Sequence, residues 1–237
     1  MVNSFKFKQF EIEQDRCAMK VGTDGVLLGS WASIDNNLET ILDIGAGTGL
    51  IALMMAQRST AETIDALEID EDAYEQCVSN FDSSDWADRL FCYHAGLDEF
   101  VDEWEEPYDL IVSNPPFYSE EVSSGDASRD KARQNQSLPF DELLEGVSKL
   151  MAPKGSFATI IPFKEEIGFL QLAKTFKLYP RRITRVKGNA TSEIKRSLIQ
   201  FGFEKLELEI NELIIEIIRH EYTEDYISLT KDFYLKM

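Results

Sequence analysis

Thr40-Ile41-Leu42-Asp43-Ile44-Gly45-Ala46-Gly47-Thr48-Gly49 is the stretch on which the fold of this chain turns. Its first five residues are a short apolar run of strand character. Glycine then takes every second position, and from Leu50 to Arg58 the sequence reads as a helix. Strand, glycine turn and helix in that order predict a backbone that passes close to a ligand, because glycine adopts conformations closed to other residues. The spacing differs from the dinucleotide fingerprint, whose third glycine follows the second by three residues. Here Gly47 and Gly49 are two apart and Leu50 follows, which weakens a pyrophosphate-binding reading. Asp43 at the strand end suits a positively charged or amine-bearing ligand better than a phosphate. The next predicted strand, 63–69, carries Glu68, 19 residues after Gly49. A carboxylate there can accept hydrogen bonds from both hydroxyls of a ribose, with Ile69 against the attached base. Gly45, Ala46, Gly47 and Gly49 with Asp43, Glu68 and Ile69 thus form the expected nucleoside site. The bland alternative is a plain glycine turn followed by a surface acid.

Outward from this stretch, strands and helices keep alternating. Residues 70–81 predict a helix opened by Asp70, Glu71 and Asp72, as a helix N-terminus prefers. Leu90 to His94 and Tyr108 to Ser113 predict strands, the latter stopped by Pro115 and Pro116. A helix over 139–151, a turn at Pro153-Lys154-Gly155, a strand over 156–161 and a helix over 164–176 follow. This alternation predicts a parallel sheet covered on both faces, an α/β fold. Past residue 178 the strand-like runs 182–187, 197–203 and 213–219 come without long helices between them, so the sheet is expected to finish with antiparallel strands; 223–234 reads as a short helix. There is no internal repeat and no linker, and 1–237 reads as one domain with 1–39 as a segment before the first core strand. Residues 119–137 are polar and aperiodic, and a loop that long in a compact domain is usually functional or mobile.

Asn114-Pro115-Pro116-Phe117 follows the fourth strand of this series directly. Two prolines cannot continue a sheet ladder, and Pro115 holds Asn114 extended. The expected result is a stiff loop at the C-terminal sheet edge, where ligands bind in this architecture. An exocyclic or amide nitrogen has a delocalised lone pair and is a poor nucleophile. Its two hydrogens can be held by the Asn114 side-chain oxygen and the Pro115 carbonyl, which steers the lone pair toward a methyl donor. Phe117 offers a face for a planar group, a stack worth about 1–3 kcal/mol for a base. A rigid loop that merely ends a strand is the structural alternative.

Composition sets the limits. Hydrophobic residues make up 43% of 237, enough for a core without staples. Cys17, Cys77 and Cys92 have neither zinc nor disulfide spacing, so a reducing cytoplasm is expected. The first ten residues lack the apolar run of a signal peptide, and no apolar run of about 18 residues exists to span a membrane. His94 and His220 are isolated, and no metal is expected; Trp31, Trp86 and Trp104 read as packing residues. The net charge of −19 argues against nucleic acid, yet residues 174–196 hold Lys174, Lys177, Arg181, Arg182, Arg185, Lys187, Lys195 and Arg196 against Glu193 alone. Such a stripe can steer a polyanion, since the field at the contact surface decides. It is equally a solvated edge with protective charges.

Taken together, the glycine loop and the Asn-Pro-Pro-aromatic tetrad resemble the class I methyltransferases that act on amino groups. Phe5-Lys6-Phe7-Lys8-Gln9-Phe10 and the run from Asp15 through Lys20-Val21-Gly22-Thr23-Asp24-Gly25, with Arg129, Ala132 and Arg133 after the tetrad, resemble the bacterial tRNA1(Val) adenine-N6-methyltransferase family. The resemblance covers most of the chain. It implies a doubly wound, mostly parallel, Rossmann-like sheet of seven strands with S-adenosylmethionine as cofactor, and methylation of the adenosine just after the anticodon. It also implies that Thr23 and Asp24 lie near the cofactor; from chemistry alone Lys20 and Asp24 are as well a surface pair. Many such enzymes carry an acid right after the third strand to contact the cofactor's adenine. Here the run is His94-Ala95-Gly96-Leu97-Asp98, and either Asp98 or a backbone amide near Gly96 is left for that contact.

The reading is an S-adenosylmethionine-dependent N-methyltransferase acting as a monomer on tRNA. Asn114, Pro115, Pro116 and Phe117 hold the target amine. Arg129 and Arg133 clamp phosphates or solvate their loop, and Arg181, Arg182, Arg185, Lys187, Lys195 and Arg196 grip the RNA backbone. Two rivals stand beside it: a methyltransferase acting on a glutamine side-chain amide, which the tetrad fits equally well, and a non-catalytic cofactor- or RNA-binding protein.

Overall fold

A nine-stranded mixed sheet runs through the described residues (4–17, 19–34, 38–116 and 138–236) of the computed structural model. The apolar run Thr40–Ile44 forms β3, the middle one of five parallel strands, which is buried at all but its first residue. On one side lie β4 (Thr63–Glu68) and β5 (Leu90–His94), on the other β6 (Tyr108–Ser113) and β7 (Met151–Pro162), all parallel. Helices cover both faces, so successive strand residues enter different cores. Ile41 packs with α1 (Thr23–Trp31) and α2 (Leu50–Arg58), while Leu42 and Ile44 pack with α4 (Leu97–Glu103) and α5 (Phe140–Leu150). After β3 the chain moves outward to β4 and β5, then crosses back to β6 on the other side. That reversal opens a crevice at the C-terminal ends of β3 and β6, the usual ligand position in this architecture.

Beyond β7 the order is β9 (Ile194–Gly202), β8 (Tyr179–Asn189), β10 (Glu209–Ile218) and the two-residue β11 (Glu221–Tyr222). The antiparallel finish resides in β9, which opposes both neighbours, and in β11; β8 and β10 are parallel to each other. The sheet has nine strands where the resemblance implies seven; β10 covers the strand-like run read at 213–219, and the two-residue β11 was not read from the sequence. The Pro153-Lys154-Gly155 turn is an excursion inside β7. Tyr108 pairs with Met151 and Leu110 with Ser156, so four residues bulge opposite Asp109. A side chain at Gly155 would stand 2.8 Å from the Tyr108 carbonyl oxygen, which restricts that point to glycine.

A hairpin of β1 (Ser4–Lys6) and β2 (Glu11–Glu13) leads to α1. From Gly25 to Trp31 every residue of α1 is buried, so it lacks the polar face by which a helix is read from sequence. Gly25 and Gly29 seat it against α2: a Cβ at Gly29 would lie 2.5 Å from Met54 Sδ, and one at Gly25 would lie 3.0 Å from Leu50 Cδ2. The predicted helices over 70–81, 164–176 and 223–234 are observed as α3 (Glu71–Asp82), α6 (Glu166–Thr175) and α7 (Glu224–Thr230). Asp70 caps α3, accepting from the Ala73 N–H at 3.0 Å.

Candidate active site

Gly45, Gly47 and Gly49 all have left-handed backbones, with φ of 75°, 57° and 77°. They serve two different purposes. A Cβ at Gly45 or Gly47 would meet nothing within 4 Å, so these two leave the crevice side of the loop open. A Cβ at Gly49 would stand 2.5 Å from Phe81 Cε1, so this glycine lets α2 pack on α3. The Gly45 and Ala46 N–H groups donate to the Leu67 carbonyl at 2.9 Å, which ties the loop to the end of β4. Glu68 finishes the tie. One carboxylate oxygen accepts from the Gly47 N–H (2.8 Å), the other from the Asp70 N–H (2.9 Å). An ionised carboxylate has about four acceptor positions, so Glu68 keeps capacity for a ribose after holding the loop.

Asp43 lies beneath the loop with no exposed surface, and its Oδ2 accepts from the Ala52 N–H of α2 at 3.1 Å. Its Oδ1 is buried without a hydrogen-bond partner. Burial pushes its carboxyl up to about 7, the Ala52 N–H pulls it down and Glu68 adds to the rise. What the structure shows Asp43 doing is fixing the start of α2 against the end of β3. The orphaned oxygen and the open faces of Gly45 and Gly47 fit an amine-bearing ligand above a loop that offers it backbone rather than side chains.

Asn80, a residue the sequence reasoning missed, joins this loop to the N-terminal segment. Its Nδ2 donates to the Thr48 carbonyl (2.8 Å) and the Glu13 carbonyl (3.0 Å), and its Oδ1 accepts from the Glu13 N–H (2.9 Å). Beside it Gln76 accepts from the Arg16 N–H at 3.2 Å. The segment thereby runs along α3 beside the glycine loop. Cys17 is buried there, its thiol pushed up to about 12 by burial, with the Glu68 and Asp70 charges adding. No spacing rule announces Asn80; its bonds join residues 32 and 67 positions away.

Ile69 is 56% exposed just past Glu68, and its Cδ1 lies 3.8 Å from where a Gly96 Cβ would be. Asp98 opens α4 with its carboxylate folded toward Gly96. Across β3 and β6, Ile44 pairs with Ser113, and the Ser113 hydroxyl donates to the Ile44 carbonyl at 2.8 Å. Asn114 and Gly45 are the next residues of the two paired strands, so the tetrad begins beside the glycine loop. Asn114 and Pro116 are partly exposed and Pro115 is buried. Phe117, Arg129 and Arg133 lie outside the described residues, as does 119–137. Thr23 is exposed at the start of α1, whose Gly25 rests on Leu50 at the start of α2. Asp24 pairs with Arg196 at 2.7 Å rather than with Lys20.

The basic stripe does not form one surface, because strand residues alternate between faces. Arg182 turns inward: Nη2 donates to the Trp31 carbonyl (2.7 Å) and to Gln200 (3.2 Å), and the guanidinium sits 3.8 Å over the Trp31 ring. Arg181 packs its guanidinium against Gly202. Arg185 is bidentate to the buried Glu166, and Lys187 pairs with Glu212 at 2.8 Å. Register separates them along the sheet. Arg182 stands opposite Gln200, in the row of Ala158, Val112 and Asp43, whereas Val186 stands opposite Arg196 at the end of β7. Arg185, Lys187, Lys195 and Arg196 therefore share the C-terminal sheet edge with Asn114, and Arg181 and Arg182 do not. Among the described residues no helix is long and apolar enough to cross a membrane, and no group of three His, Cys, Asp or Glu could hold a metal ion.

A family model described as the methyltransferase small domain matches residues 26–137, the span from α1 through the tetrad. A tRNA1(Val) (adenine(37)-N6)-methyltransferase from Flavobacterium johnsoniae is 63% identical over 98% of this chain and 100% of its own length. The chain belongs to the tRNA1(Val) (adenine(37)-N6)-methyltransferase family. Another member, from Bacteroides fragilis, is 44% identical over 98% of both chains. The family's enzymes are S-adenosylmethionine-dependent methyltransferases, and this chain is one of them. Solved structures agree on the fold. A predicted O-methyltransferase from Agrobacterium tumefaciens superposes with a TM-score of 0.71 at 18% identity, covering 89% of this chain and 96% of that one. The ribosomal protein L11 methylase of Lactobacillus delbrueckii gives 0.54 at 14% identity over 77% of each.

Proposed function

We propose that this chain methylates the N6 amine of adenosine 37 in tRNA1(Val), working as a single-domain monomer in the cytoplasm. The observation that carries the proposal is the start of an Asn-Pro-Pro tetrad beside an open-faced glycine loop, in a chain alike over its length to relatives of that name. S-adenosylmethionine, when bound, supplies a methyl group on a positively charged sulfur. Gly45, Ala46 and Gly47 would hold it by backbone, Glu68 by its remaining acceptor positions, and Ile69 with Gly96 or Asp98 around its base. Asp43 and Gly49 keep the loop in shape from below, and Thr23 stands at the neighbouring start of α1.

Asn114 and the Pro115 carbonyl accept the two hydrogens of the target amine and turn its lone pair toward the glycine loop. Prolines at 115 and 116 keep those acceptors from relaxing, so the gain is in orientation already present before substrate arrives. Phe117 stacks the base, which must leave its own stack to reach the site. Lys187, Lys195 and Arg196, with Arg129 and Arg133, meet the phosphates, while Arg181, Arg182 and Arg185 act mainly inside the fold. The chain's net charge of −19 keeps a glutamine side chain as the second reading. Radiolabelled methyl from S-adenosylmethionine, offered to unmodified total tRNA and separately to a protein extract, tests the proposal. Label in N6-methyladenosine is expected; label in protein glutamine alone overturns it, and label in neither points to a binding protein.

A further inference from the structure

We infer that His94 is a positioning residue for the cofactor pocket, acting through the backbone of Ile69. This rests on the cofactor reading above. Glu68 and Ile69 leave β4 at the point where the chain bends into α3, and the Ile69 side chain is left standing in solvent, 56% exposed, at the ligand edge. Glu68 is fixed through its carboxylate and Asp70 through its N–H. The Ile69 carbonyl between them is held by a side chain: His94 Nε2, from the end of the neighbouring β5, lies 3.2 Å from it. A carbonyl oxygen only accepts, so Nε2 carries the hydrogen in this contact. The ring itself is braced. Tyr74 of α3 stacks on it with centroids 5.1 Å apart and planes at 18°, and the Tyr74 N–H donates to the Asp70 carbonyl at 2.8 Å.

Tyr74, His94 and Ile69 thus form a chain of contacts that ends on the residue expected against the cofactor's base. His94 is exposed at the end of β5, with β4 and β3 between it and the strand that leads into Asn114, so its work falls on cofactor affinity and not on methyl transfer. Two substitutions separate the hydrogen bond from the stack. His94→Phe keeps a ring on Tyr74 and removes the N–H. His94→Gln removes the ring and keeps an N–H at similar reach.

The test is calorimetric titration of the full chain with S-adenosylhomocysteine, together with steady-state methylation of tRNA. His94→Phe is expected to bind about fivefold more weakly, the size of one neutral hydrogen bond, with KM for S-adenosylmethionine raised equally and kcat unchanged. His94→Gln is expected to stay within about twofold of wild type on the same grounds. Equal weakening in both variants assigns the effect to the stack and overturns the inference. So does unchanged binding in His94→Phe, or a fall in kcat at constant affinity. Failure of the wild-type chain to bind S-adenosylhomocysteine overturns the cofactor reading itself, and this inference with it.

Discussion

Alanine at Gly49 sets a methyl group 2.5 Å from Phe81 Cε1 and 2.9 Å from Cys77 Sγ, on a backbone with φ of 77°. Left-handed backbone costs a residue with a Cβ about 1–2 kcal/mol. Overpacking a filled core adds about 1–3 kcal/mol, since Phe81 and Cys77 are both buried. Gly49→Ala is therefore expected to lose about 2–5 kcal/mol of stability, which lowers the unfolding midpoint of a domain this size by roughly 4–20 °C. Gly47→Ala carries the backbone cost alone, because its Cβ enters open space. Its expected loss is about 1–2 kcal/mol, but its methyl group stands on the face assigned to the cofactor. Thermal unfolding and calorimetric titration with S-adenosylhomocysteine, run on both variants, separate the two effects. Gly49→Ala should be the less stable and Gly47→Ala the weaker binder, by at least about tenfold, or roughly 1.4 kcal/mol. If Gly47→Ala destabilises as much as Gly49→Ala, or binds like wild type, the division between a packing glycine and ligand-facing ones is wrong.

Asn114→Ala should lower kcat about 100-fold or more, the scale of removing one preorganised polar group, with S-adenosylhomocysteine affinity nearly unchanged in the titration. Arg182→Ala should cost roughly 2–3 kcal/mol in urea unfolding by freeing Trp31, whereas Lys195→Glu should leave stability alone, weaken tRNA binding and reduce its salt slope by about 0.9. Asp43 predicts a pH dependence of definite sign. Its folded pKa of about 7 lies well above the ordinary aspartate value, so the folded state holds the proton more tightly. Its ionisation subtracts stability progressively as pH rises from about 4 to 7 and no further above that. Asp43→Asn, compared with wild type by urea unfolding, should gain relative stability across that window and stay level beyond it.

Much of the core was legible because its signals are local. Strand β3, the glycines and α2 were readable to the residue, and so were the ends of β5 and β6, since apolar runs and proline stops need no tertiary information. Helix α1 was not, because burial on every side removes the period of an amphipathic helix. The β1–β2 hairpin has three-residue strands held in part by Asn80 from α3, and short strands depend on such distant partners. The stripe from Lys174 to Arg196 misled by adjacency. Neighbours on a strand face opposite ways, and Arg182 is drawn in by Trp31 while Arg185 is drawn in by Glu166. Glu68 was legible as the acid that ends β4, but its bonds to Gly47 and Asp70 exist only once β4 lies beside β3. Long-range hydrogen bonds of this kind leave no spacing in the sequence.

The assigned activity is tested most directly by methylation of two transcripts, unmodified tRNA1(Val) and the same RNA with adenosine 37 changed to guanosine. It predicts N6-methyladenosine in the first and no methyl incorporation in the second. Equal incorporation into both, or a methyl group on any atom other than the amine of adenosine 37, would contradict it.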